Sequence, residues 1–253
     1  MSRLQQIRRL AATAVSPGGL RAMRTWKPFS LTAFHMMKRL QTEAVTFRSI
    51  IDGGANIGQF ARAALETFPE AELIAFEPLP DVAAVLEKNL SDTGRARVVV
   101  SALGPATGTL TFHRNAYSLS SSALPLHQNH RDAFPDAQEE SEVEVPVGRL
   151  DDLLGDFELA SPSLLKLDLQ GFEIPAFQGA PETLRVVDFI LVETAFRPLY
   201  EGEALFPELH AFLKERGFRF LRPLDVLEGP DGTIVQMDAL FVRSGSACAP
   251  RFL

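Results

Sequence analysis

The sequence predicts an α/β protein built on a mostly parallel sheet with helices on both faces. Three observations carry that expectation. From Val45 onward, short runs rich in Val, Ile, Leu and Phe alternate with longer segments of helical periodicity. Several of those runs end in an acidic or glycine-rich segment, where an open parallel sheet holds its ligands. The 253 residues, 46% apolar and 23% charged, suit one large globular domain and show no repeat or low-complexity bias.

VTFRSIID (45–52) reads as the first strand, GQFARAALETFP as its crossover helix and AELIAFEP (71–78) as the second strand. PDVAAVLEKNLSD places Val82, Val85, Leu86 and Leu90 on one helical face, and RARVVVSAL (95–103) supplies the third strand. GTLTFHRN (108–115) has the alternation of a hairpin strand. The polar stretch from Ala116 to Ser141 is too long for an ordinary connector, which suggests a lid, a binding loop or a mobile segment. Regular structure resumes at EVEVPVGRLDDLLGD (142–156). SLLKLDLQG (163–171) is the fourth parallel strand, a helix follows over 175–184, and VDFILVETAF (187–196) is the fifth strand. LFPELHAFLKERGF is an amphipathic helix, and FRFLRPL with MDALFVRS (237–244) closes the sheet as a hairpin-like pair around EGPDGT.

This pattern divides the chain into an N-terminal helical extension (1–44), an α/β domain (45–244) and a short tail (245–253). In the extension, Leu4, Ile7 and the Leu10 to Ala12 group have the spacing of an amphipathic helix. Arg3, Arg9, Arg21 and Arg24 leave an interfacial or targeting role open beside a helical flap or dimer contact. The longest uncharged stretch, Leu10 to Leu20, is broken by SPGG and is too short to span a membrane. Twenty-five Lys and Arg against thirty-two Asp and Glu give a net charge of -7, a poor match to a phosphate backbone or an anionic membrane. The single cysteine, Cys248, excludes an intrachain disulfide and fits a reducing compartment, so a cytoplasmic location is expected.

The first strand runs into IIDGGANIG, with Asp52, Gly53, Gly54, Asn56 and Gly58. Glycines permit close backbone approach, the following helix offers free N–H groups, and Asp52 can order the loop or reach a polar ligand group. A purely structural turn would have the same composition. The spacing departs from the G-x-G-x-x-G dinucleotide fingerprint, because Ala55 stands at the middle glycine position. The second strand ends in Glu77 and Pro78. A carboxylate there can accept two hydrogen bonds from a ribose diol and would repel a 2'-phosphate.

Five segments in order, IDGGANIGQF, AFEPLPD, VVVSALG, LLKLDLQGFEIPAFQGA and ILVETAF, resemble the motifs of the FkbM-type methyltransferases, a class I S-adenosylmethionine-dependent family. The resemblance runs from about Val45 to Val242. It implies a Rossmann-like, seven-stranded, mostly parallel sheet with an antiparallel last strand, and S-adenosylmethionine as cofactor. It also implies that Asp52, Gly54, Asn56 and Gly58, with Gly53 between them, form the methionine-side loop. Glu77 would then hold the ribose hydroxyls, with Pro78 beside it, Leu79 would touch the adenine edge, and Ser101 and Ala102 would lie beside adenine. Many relatives read D-x-E-G-x-E where this chain has Asp168, Leu169, Gln170, Gly171, Phe172 and Glu173. Glutamine at that position also occurs in the family, and it cannot serve as a carboxylate base.

Methyl transfer from a sulfonium is an in-line displacement, so the protein must align the reactants, exclude water and, for a hydroxyl acceptor, take up a proton. Asp168 is the leading residue for base or acceptor-orienting work, or alternatively for holding the cofactor's amino group. Glu193, at the end of the fifth strand, joins it across the cleft. The two acids could move a proton, hold a divalent ion or merely anchor loops. His127 and His130 could supply a base from a closing loop, although H-x-x-H there lacks a third zinc ligand. YSLSSSAL (117–124), with Tyr117, offers hydroxyl donors, and Arg197 and Tyr200 could form a second wall.

The function expected is O-methylation of a hydroxyl on a sugar, glycan or small secondary metabolite. N-methylation, a nicotinamide-dependent dehydrogenase or a non-catalytic small-molecule-binding protein are the alternatives. A homo-oligomer is compatible with the sequence, and neither nucleic acid nor stable membrane insertion is expected.

Overall fold

The computed structural model describes residues 10–42, 45–115, 121–129, 139–229 and 231–248. The spacing of Leu4 and Ile7, with Tyr117 and the rest of 117–120 in the serine-rich segment and with His130, lies outside them.

Residues 10–15 are helical, followed by α1 (Gly19–Thr25) and α2 (Leu31–Gln41). The domain then runs β1 (Ser49–Gly53), α3 (Gln59–Thr67), β2 (Glu72–Phe76), α4 (Pro80–Leu90), β3 (Ala96–Val99), β4 (Ala102–Leu103), β5 (Gly108–Asn115) and β6 (Glu139–Gly148). After α5 (Leu150–Leu153) come β7 (Ser163–Leu167), α6 (Glu173–Gln178), α7 (Thr183–Val186), β8 (Phe189–Ala195), α8 (Phe206–Glu215), β9 (Phe218–Glu228) and β10 (Ile234–Arg243).

Seven strands form the main sheet in the order β3-β2-β1-β7-β8-β10-β9. All are parallel except β10, which runs antiparallel to both neighbours. Alternate strand residues face opposite sides. Ile50, Leu164, Leu191 and Leu240 pack with α2, α3 and α4, whereas Ile51, Leu165, Ile190 and Phe241 pack with α6, α7 and α8. These strands are buried on both faces and therefore read as continuous apolar runs rather than alternating ones.

Three local differences from the sequence reading have physical causes. The first run is a strand only from Ser49. Its lead-in instead buries Phe47 edge-on against Phe68 and Phe189, with centroids 5.1 and 5.5 Å apart. The third run divides: β3 stays in the main sheet, and the chain then turns at Ser101, whose hydroxyl donates to the Ala102 carbonyl (2.9 Å), so that β4 joins a small sheet with β6 and β5. The helix expected over 175–184 is two short helices broken at Gly179-Ala180-Pro181. A side chain at Gly179 would place its Cβ 2.0 Å from the Gly104 carbonyl oxygen.

α2 begins at Ser30, whose hydroxyl caps Ala33 N at 3.2 Å. It buries Ala33, Phe34, Met36, Met37 and Leu40 and packs on α3 and β9. Arg62 of α3 is nearly buried. It donates to the carbonyls of Lys27 and Asn89 and pairs with Asp92, tying the N-terminal segment to the domain. Among the described residues, no helix is long and apolar enough to cross a membrane.

Candidate functional site

The order of the sheet reverses between β1 and β7, so a crevice opens at their carboxyl ends. The backbone closes tightly there. Asp168 N donates to Gly53 O at 3.1 Å, and a Cβ on Gly54 would come 2.0 Å from the Asp168 carbonyl oxygen. Gly54 has φ +74 and Asn56 φ +48, and the N–H groups of Gly54 and Ala55 both donate to Phe76 O. Glycine meets both demands at position 54, close approach and positive φ.

Beneath this turn, Asp52 is fully buried beside Lys166, whose ammonium stands 3.0 Å from its Oδ1 and donates to Gly54 O at 3.2 Å. The same ammonium is 3.6 Å from Asp168 and 5.5 Å from the centre of the Phe60 ring. Burial raises the Asp52 pKa and Lys166 only partly offsets it. Burial opposes the charge on Lys166, but Asp52, Asp168 and Glu193 together outweigh it and raise its pKa. Lys166 was not singled out from the sequence. The signal for it was a lysine inside an apolar strand, two residues before Asp168 and therefore on the same face.

Glu77 is buried, accepting from Asn56 N and Leu79 N at 3.0 Å each. Burial pushes its carboxyl to about 7 against those two hydrogen bonds. Glu173 accepts from Leu169 N and Gly171 N and is pushed by burial to about 8.

Two adjoining hollows meet at this crevice. The first is lined by Gly54, Asn56, Glu77, Pro78 and Leu79, and by Ser101, Ala102 and Asp168 on its other side. The structure thus brings together eight of the residues expected to hold a cofactor. Asp52 and Gly53 lie behind the lining, and Gly58 caps α3 at φ +94. The second hollow, a cavity of about 360 Å³, shares Gly54, Asn56, Asp168 and Gln170 with the first. Its floor carries Glu193, Asp238 and Asp225, and its roof carries Ser30, Thr32, Ala33 and Met36.

The acids of that floor come from neighbouring strands. Asp238 pairs in register with both Glu193 and Asp225. Burial, then the charges of Asp168 and Asp238, raise the Glu193 pKa well above the usual carboxylate range. Burial, then Asp168 and Asp225, push Asp238 to about 8. Gln170 donates its side-chain amide to Asp168 Oδ1 at 2.6 Å and to Glu193, and accepts from the Tyr200 hydroxyl at 2.6 Å.

Tyr200 lines neither hollow and reaches the site only from behind, through its hydrogen bond to Gln170. Arg197 turns to Thr233 and Asp231 of the β9–β10 connection instead. His127 accepts from Asn129 N at its Nδ1 and lines neither hollow. Among the described residues, no group of three or more His, Cys, Asp or Glu is placed to hold a metal ion.

The strand order, the single reversed strand and the crevice at β1 and β7 define a class I methyltransferase fold. The Methyltransferase FkbM domain family matches residues 52–220, and the chain belongs to that family. It is 32% identical over 161 residues to the 2-O-methyltransferase NoeI of Sinorhizobium fredii, an alignment spanning 61% of this chain and 66% of that protein. Identity is 28% over 198 residues to Methyltransferase sdnD of Sordaria araneosa, covering 68% of this chain and 74% of that protein. With the hexuronic acid methyltransferase AglP of Haloferax volcanii it is 26% over 158 residues, covering 62% and 60%.

Proposed function

We propose that this protein is an S-adenosylmethionine-dependent O-methyltransferase acting on a hydroxyl of a sugar, glycan or small secondary metabolite. The observation that carries the reading is the first hollow: a Gly54 cradle that a Cβ would fill, a buried carboxylate at the end of β2, and Ser101 with Ala102 across from it. These residues fit the cofactor. Glu77 would hold the ribose hydroxyls, Leu79 and Ala102 would flank adenine, and the Gly54 to Asn56 backbone with Asp168 would hold the amino-acid end. When bound, the cofactor supplies an electrophilic methyl group on a sulfonium.

The second hollow is then the acceptor side. Asp168 lines both hollows, so it stands where a hydroxyl could be oriented and relieved of its proton. Glu193 beside it has a raised proton affinity, so in its ionised form it can take up a proton passed on from Asp168. The acids of the floor suit neutral hydroxyl donors and disfavour an acceptor that itself carries a carboxylate. Two relatives are named for a 2-O position and for a hexuronic acid; a uronate carboxylate would further oppose ionisation of the acids in this cavity, which supports a neutral sugar. Residues 45–244 form the catalytic domain in this reading, and residues 1–44 form an extension whose Ser30 to Met36 part roofs the acceptor cavity. A cytoplasmic setting agrees with the single cysteine.

Calorimetry with S-adenosylmethionine and with nicotinamide dinucleotides, followed by transfer of labelled methyl to a panel of sugars and small alcohols, tests the proposal. Cofactor binding with methyl incorporation into a hydroxyl acceptor is expected. Nicotinamide binding without S-adenosylmethionine binding would overturn it. Asp168→Asn should lower turnover by about 10²-fold or more while the chain stays folded.

A further inference from the structure

We propose that Gln170 is a positioning residue whose side-chain amide clasps Asp168 and Glu193 into one hydrogen-bonded pair where the two hollows meet. The inference deepens the methyltransferase reading and rests on it.

Gln170 follows β7 with φ +56, a backbone conformation that a residue other than glycine adopts at a cost. The surroundings hold it there. Ser122 Oγ donates to the Gln170 carbonyl at 2.7 Å, while the N–H groups on either side, of Leu169 and Gly171, donate to Glu173 at 2.8 and 3.2 Å. This fixed backbone aims the side chain between the two acids.

A primary amide has two donor hydrogens and one acceptor oxygen, and here each meets a group of the right polarity. Nε2 donates to Asp168 Oδ1 and to Glu193 Oε2, and Oε1 accepts from Tyr200, a fully buried tyrosine. Reversing the amide would set its oxygen against two carboxylates. A glutamate would add a third negative charge, and a methionine would fill the space but leave the acids unbridged. Glutamine alone among residues of this size both bridges the acids and accepts from the tyrosine.

The charged groups facing the pair are Lys166 on β7, Asp52 on β1, Asp238 on β10, Asp225 on β9 and Glu173 at the start of α6. One of these is cationic and four are acidic. Without a donor between them, Asp168 and Glu193 would repel each other when both are ionised, in a partly buried space already short of positive charge, and Glu193 would keep its proton to higher pH. The clasp holds both acids where the hollows meet and links them through Tyr200 to the segment that carries Leu199 into the lining of the second hollow.

Titration of the ligand-free protein, with ¹³C-labelled carboxyl groups followed by NMR and Glu193→Gln used for assignment, tests the clasp directly. Gln170→Met should move the Glu193 midpoint to higher pH, and Gln170→Glu should move it further. Tyr200→Phe, which keeps the buried ring, should give a smaller shift in the same direction and remains informative should either Gln170 variant not fold. An unchanged midpoint in the folded variants would overturn the proposal. Calorimetry with S-adenosylmethionine on the same samples separates the two claims. Wild type should bind, and Gln170→Met, which leaves Asp168 unheld where it meets the amino-acid end of the cofactor, should bind about tenfold more weakly near neutral pH. Shifted midpoints in a protein that binds no S-adenosylmethionine would overturn the methyltransferase reading and the positioning role with it, leaving a structural bridge alone.

Discussion

At the scale of single residues, position 54 has the least tolerance. Gly54→Ala would need a Cβ 2.0 Å from the Asp168 carbonyl oxygen at a φ of +74, so the β1 and β7 loops would have to part. The expected loss is about 1–3 kcal/mol of stability from backbone strain alone, with S-adenosylmethionine binding abolished. Paired denaturant melts and calorimetry would check this, and a variant that melts and binds like wild type would contradict the cradle. Glu77→Gln should weaken cofactor binding about tenfold, because an amide presents one acceptor where the carboxylate has two. Gly54 and Glu77 were legible in the sequence because each lies at or just past the end of an apolar run, and strand ends are where such sheets bind. Lys166, Asp225 and Asp238 were not. They lie on different strands, far apart in the sequence, and only the register of β1, β7, β8, β10 and β9 assembles them.

At the scale of elements, α2 belongs to the same core as the strands. Met37 and Leu40 are almost completely buried beneath it, against α3 and β9. Leu40→Ala should cost about 2–5 kcal/mol, the usual range for truncating a buried leucine. Chemical denaturation would measure it, and a loss near zero would mean that the helix does not stay docked in solution. Helix removal has a second consequence, because Ser30, Thr32, Ala33 and Met36 wall the acid-floored cavity. Deleting residues 1–42 should weaken acceptor binding more than cofactor binding, since the first hollow takes no wall from this segment. The alternating strands and helices were readable because burial on two faces leaves continuous apolar runs. The split after Val99 was not, since the same valine-rich run continues to Val100 while its hydrogen bonds pass from one sheet to another.

At the scale of the whole molecule, the buried acids set how stability responds to pH. Burial pushes Glu77 to about 7 and Glu173 and Asp238 to about 8, and raises Asp52 and Glu193 as well. Between the ordinary carboxylate range and those values the folded chain holds protons that the unfolded chain has released, so stability falls as pH rises through that window. Asp188 acts oppositely. Burial opposes its charge, but hydrogen bonds from Ser161, Ser163 and Ser246 outweigh it and lower the pKa, giving stability that is lost as pH falls below the ordinary aspartate value. Lys166 adds no slope here, because it is charged in both states across the range. The ligand-free protein should therefore melt highest near about pH 5 and at progressively lower temperature toward pH 8. A sulfonium cation beside these acids favours their ionised forms, so the rise in melting temperature on adding S-adenosylmethionine should grow over the same interval. Scanning fluorimetry with and without the cofactor reads both slopes. A ligand-free melting temperature that climbs steadily from pH 5 to 8 would contradict the protonation of the buried acids. A cofactor-induced shift that does not grow with pH would contradict the placement of its positive charge next to them.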